Sequence, residues 1–77
     1  MTESDLIRLH AHGINRFVCF RHCFMIGEYF APGGMVTLLE IRREQFIIKA
    51  LVTSDATNEV LHCPIKGFCY TFKPVTP

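Results

Sequence analysis

Leu6, Leu9 and His10 recur at helical spacing behind a polar start, Thr2-Glu3-Ser4-Asp5, with Ile7 and Ile14 beside the stripe. Thr2 or Ser4 can cap such a helix by accepting backbone N–H bonds, and Glu3 and Asp5 suit the positive end of its dipole. Gly13 is a natural stop. The pattern predicts one short helix, Ser4 to His12, that holds only by packing on the rest of the chain.

From Phe17 the texture turns to β. Phe17-Val18-Cys19-Phe20 and Cys23-Phe24-Met25-Ile26 are apolar runs rich in aromatic and β-branched residues, separated by Arg21-His22 and followed by Gly27-Glu28. They read either as one strand or as two joined by a tight turn. Ala31-Pro32-Gly33-Gly34 is a clear turn, because Pro fixes φ and Gly permits positive φ. Beyond it the pattern predicts strands at Met35–Ile41, Phe46–Thr53 and Glu59–Cys63, joined by the polar stretches Arg42-Arg43-Glu44-Gln45 and Ser54-Asp55-Ala56-Thr57-Asn58. Pro64-Ile65-Lys66-Gly67 predicts a single 3₁₀ turn. Phe68, Tyr70 and Phe72 alternate with Cys69 and Thr71, which predicts a final strand with an aromatic face. The chain thus divides into a helix (1–14), a β unit (16–72) and a tail (73–77) whose prolines bar it from a central strand.

Three short strands on tight hairpins, a Pro-initiated single turn and a last strand form an order that resembles SH3-like small barrels over Gly33 to Phe72. The resemblance lies in element lengths, with no family motif behind it. The expected fold class is therefore mainly β: a short N-terminal helix followed by an SH3-like barrel of about five strands. The alternative is an open antiparallel sheet with the helix packed on one face. In the first long strand Met35, Thr37, Leu39 and Ile41 share one face, and Val36, Leu38, Glu40 and Arg42 the other. That second face turns polar half-way, as in a strand that bends from core to solvent. In the next strand Phe46, Ile48, Ala50 and Val52 face the core, which leaves Ile47 and Leu51 outward with Lys49 and Thr53.

Composition sharpens this. The chain has 77 residues, 49% of them hydrophobic and only 19% charged. A domain of this size buries only about 60% of the surface of its unfolded chain, so part of that apolar content faces a partner, most simply a second copy in a homodimer. Net charge is +1, without the basic excess of a protein that binds mainly phosphate. There is no secretory h-region, and no run approaches the ~18 apolar residues of a membrane span. The expectation is a single soluble domain in the cytoplasm, its four cysteines reduced.

Cys19, His22, Cys23, His62, Cys63 and Cys69 are the candidate metal ligands, but the spacings C-x₃-C and C-x₅-C are not zinc knuckles. On one continuous strand Cys19 and Cys23 would stand about 13 Å apart at ~3.3 Å per residue; a turn at Arg21-His22 would bring them together. Core cysteine is the simpler reading, and no metal or cofactor is expected. No triad motif, G-x-S-x-G or P-loop occurs, so no catalytic residue is assigned and the expected class is not an enzyme. A protein-binding or regulatory module is the leading reading, with Tyr29, Phe30, Ile47, Leu51 and Tyr70 as its contact residues. Exposed aromatics between loops are what SH3-type barrels use to hold extended peptides, which is what the resemblance implies for Tyr29, Phe30 and Tyr70. The rival is an RNA or single-stranded DNA binder using Arg16, Arg21, Arg42 and Arg43, because cations interleaved with Phe17 and Phe20 can hold phosphates while bases stack.

Overall fold

The computed structural model describes residues 1–75; Thr76 and Pro77 of the expected tail lie outside the described residues. Helix α1 spans Glu3–Ala11, one residue earlier than expected at each end. Its start is a capping box: the Asp5 N–H donates to Thr2 Oγ1 and the Thr2 N–H donates to Asp5 Oδ2, both at 3.1 Å. It stops where Gly13 takes φ +80°, the left-handed position that a residue without a Cβ adopts freely.

Strand β1 (Arg16–Cys19) ends before Arg21-His22, and the second apolar run forms a separate strand, β2 (Cys23–Met25), paired with β3 (Glu28–Phe30). The hairpin between them turns at Ile26 and Gly27, with φ of +51° and +79°. The Pro32–Gly34 turn leads into β4 (Met35–Glu44), which carries on through Arg42, Arg43 and Glu44 where a polar connection was expected. The reversal takes place at Gln45-Phe46, with Gln45 at φ +48°, and β5 (Ile47–Ser54) returns alongside in register Glu44↔Ile47. Strand β6 (Val60–Pro64) pairs with β5.

The largest departure from expectation follows. Ile65–Thr71 is a seven-residue helix, α2, where the alternating aromatics predict a 3₁₀ turn and a strand. The buried set Ile65, Phe68, Cys69 and Phe72 recurs at three- and four-residue steps, which puts these side chains on one helical stripe and turns Tyr70 outward. Phe68 and Phe72, four apart, stack at 4.8 Å. The last strand, β7 (Phe72–Pro74), lies where a tail was expected, and its Pro74 is tolerated because β7 is an edge.

The five strands β6-β5-β4-β1-β7 form one antiparallel sheet whose edges β6 and β7 do not pair, so the sheet is open rather than a closed barrel. A register shift between Leu38 and Glu40 curls it. Because of that shift the inward residues of β4 are Val36, Leu38 and then Ile41, and the strand changes faces half-way. Leu6 of α1 is fully buried against the inner face. The core centres on aromatic rings: Phe17 meets Phe68 edge-on at 5.3 Å, and Phe30 meets Phe72 edge-on at 5.4 Å.

Candidate protein-docking surface

The β2–β3 hairpin alternates cleanly. Met25 and Phe30 turn into the core, while Phe24 and Tyr29, directly opposite each other across the strands, turn outward with 74% and 58% of their surface exposed. His22 stacks on the Tyr29 ring at 5.8 Å, and its Nδ1 hydrogen-bonds the Tyr29 hydroxyl. The preceding residue, Arg21, lays its guanidinium over Tyr70 of α2 at 4.5 Å and over Phe20 at 4.9 Å. The dipeptide Arg21-His22 therefore ties two exposed tyrosines, far apart in sequence, into one aromatic band. Lys73 of β7 stands 5.8 Å from the Phe20 ring at its margin.

A second apolar site lies at the β4–β5 tip. The alternation of β5 puts Phe46 in the core, but it occupies the turn and is exposed over its whole surface. With Ile47 and Ile48 it walls an open groove of about 320 Å³, and Pro64, Ile65, Lys66 and Glu3 form the other side.

Two of the five expected contact residues are corrected. Phe30 is core, edge-on to Phe72, because its place in β3 is two residues from Glu28 on the inward side. Leu51 lies on the outer face as expected but is only 6% exposed. It sits mid-strand with Glu40 on one flank and His62 on the other. Ile47, by contrast, stands beyond the end of β6, whose pairing begins at Lys49, and so has no neighbour on that side. Phe24 and Phe46 are exposed aromatics that the pattern does not single out as contact residues, Phe24 standing in an apolar run and Phe46 on the expected core face. The signal for Phe24 was available once Gly27 was taken as a hairpin turn, which sets the alternation of β2.

The four arginines of the nucleic-acid reading are not gathered on one face. Arg16 forms a two-pronged ion pair with Asp55 at 2.8 and 2.9 Å and also donates to Thr37 Oγ1. That contact holds the Asp55 carboxyl below its ordinary range. Arg42 donates to Glu40 at 2.6 Å and approaches Glu44, which also accepts from Lys49. Arg43, on the opposite side of β4, lines a groove with Ile7 and His10. Arg21 belongs to the aromatic band.

The thiols are poor candidates for chemistry. Burial pushes Cys63 up to about 12, with the Cys23 and Glu28 charges adding to it. Burial also raises Cys19 and Cys69. A nucleophile or a metal ligand needs the thiolate, which these sites disfavour. Cys23 is close enough to influence both Cys19 and Cys63. Among the described residues no three His, Cys, Asp or Glu side chains gather as a metal site. No helix among them is long and apolar enough to cross a membrane. Comparison of the chain with family models, curated proteins and solved structures finds no match.

Proposed function

We propose that this protein is a non-enzymatic protein-binding module that docks other proteins on its exposed aromatic surface. The observation that carries the reading is the band from Phe24 and Tyr29 through Arg21-His22 to Tyr70, in which large rings face water although the inner side of the same elements is fully packed. Tyrosine and arginine presented together are what protein interfaces concentrate at their centres. The buried thiols, and the dispersed arginines of which Arg16 and Arg42 already hold carboxylates, give no comparable support to catalysis or to nucleic acid. In this reading the module works in a reducing cytoplasm.

The Phe46–Ile47 tip is assigned to a second copy of the chain. Its groove holds one acidic residue, Glu3, and one basic residue, Lys66, neither in an ion pair among the described residues. A two-fold axis sets Lys66 of one copy against Glu3 of the other and lets each Phe46 enter the opposite groove. Photo-cross-linking tests both assignments, with the reactive group placed at Tyr29, at Ile47 or, as a control, at the exposed Glu59. In native lysate, position 47 should give a product of twice the chain mass and position 29 a discrete adduct with another protein. Yields at 29 and 47 no higher than at 59 would overturn the reading.

A further inference from the structure

Six of the eight Lys and Arg side chains of this chain fall into two groups. Arg8, Arg16, Arg42 and Lys49 each hold a carboxylate. Arg21 and Lys73 face aromatic rings instead, and among the described residues neither is in an ion pair. Stacking on Phe20 and Tyr70 occupies the faces of the guanidinium and leaves its in-plane N–H fork for a ligand. That fork matches a carboxylate, which it can take through two parallel hydrogen bonds. Lys73 shares the Phe20 ring at 5.8 Å, against 4.9 Å for Arg21, which puts the two charges no more than about 11 Å apart. In an extended peptide, side chains two residues apart leave the same face about 7 Å from each other, within reach of both cations.

We propose that Arg21 and Lys73, set on the rings of Phe20 and Tyr70, bind an extended acidic segment of a partner protein whose two carboxylates are spaced two residues apart. The proposal rests on the docking reading and names the chemistry of its partner. A nucleic acid fits the same cluster less well. Base stacking needs open ring faces, whereas Arg21 already covers faces of Phe20 and Tyr70 and His22 covers Tyr29. Two cations also fall short of the row of charges that follows a phosphate backbone. The remaining unpaired cations, Arg43 and Lys66, lie in other grooves.

The experiment is an amide and arginine side-chain NMR titration of the full chain with three probes. These are a Gly/Ser octapeptide carrying two Glu residues separated by one position, its Gln twin, and an eight-nucleotide oligo-dT. The Glu peptide should give saturable shifts at Phe20–His22, Tyr29, Tyr70, Phe72 and Lys73, weakening as salt is raised. The Gln twin, and the Arg21→Ala and Lys73→Ala variants, should each bind at least about tenfold more weakly. Arg21→Lys, which keeps the charge and loses the fork, should fall between. Both side chains lie at the surface, and unchanged shifts of the core Phe17 and Val52 amides would show that the variants fold. The proposal is overturned by no saturable shift with the Glu peptide, by equal binding of the Gln twin, or by tighter binding of oligo-dT at the same residues. Should the Glu peptide fail while cross-linking at Tyr29 still captures a protein, the acidic specificity is lost and the docking reading stands.

Discussion

Thr71 ends α2 with its side chain wholly buried and, among the described residues, with no partner for its Oγ1. A hydroxyl in that position carries a desolvation cost of about 1–3 kcal/mol that valine, of the same shape, avoids. Thr71→Val is expected to raise stability by about 1 kcal/mol, read from the urea midpoint at unchanged slope; a lower midpoint would contradict this account of the site. Cys63 makes a pH-dependent contribution. The unfolded thiol titrates near 9.0, whereas burial holds the folded one to about 12, so the folded state keeps its proton over that interval and the unfolded state does not. Stability is therefore undiminished by this group below pH 9 and falls as pH rises from 9 towards about 12. Cys63→Ala should show a shallower alkaline loss, and iodoacetamide at pH 8 should label half-buried Cys23 well before Cys63. Equal labelling of the two would contradict the burial argument.

The β2–β3 hairpin shows how an element can be held without joining the main sheet. It shares no ladder with the five strands and is fixed by Met25 and Phe30 in the core. Met25 Sδ sits 2.6 Å from the point where a Cβ on Gly67 would lie, so a side chain there would have to displace the Met25 side chain that anchors the hairpin. Gly67→Ala would ordinarily strengthen a helix by about 1 kcal/mol. Here the clash should outweigh that gain and leave a net loss of about 1 kcal/mol, with faster amide exchange at Glu28–Phe30; a gain in stability would refute the contact. Much at this scale was readable in advance. Thr2, Asp5 and Gly13 mark α1 by local chemistry alone, and the Pro32–Gly34 turn and the alternation of β5 place the central strands. Segment 65–71 was not readable, because Phe68, Tyr70 and Phe72 satisfy a two-residue period while Ile65, Phe68, Cys69 and Phe72 equally satisfy a helical one. The tertiary fact that decides it, burial of Cys69 and exposure of Tyr70, has no local signature. The aromatic band was legible only in part. Tyr29 and Tyr70 stand out as residues, but the stacking of Arg21-His22 that unites them depends on α2 being a helix.

For the molecule as a whole the governing fact is the mismatch between apolar content and interior. The sheet, α1 and α2 enclose a core built on Phe17, Phe68 and Phe72, yet among the described residues ten large hydrophobic side chains stay exposed, and Phe46 meets water over its whole surface. Some exposed apolar area is ordinary on any protein. Here the five most exposed, Phe46, Phe24, Tyr29, Tyr70 and Ile47, lie at one hairpin tip and along one aromatic band, and the tip adjoins a groove with a charge of each sign. Under the proposed function, such a surface associates as concentration rises. The most direct test is sedimentation equilibrium of the full chain from micromolar to millimolar concentration, beside the double variant Phe46→Ser, Ile47→Ser. The native chain should rise from 8.8 kDa towards twice that mass, and the variant should stay at the monomer mass throughout. A native chain that holds the monomer mass to the highest concentration, or a variant that associates equally well, would contradict the account.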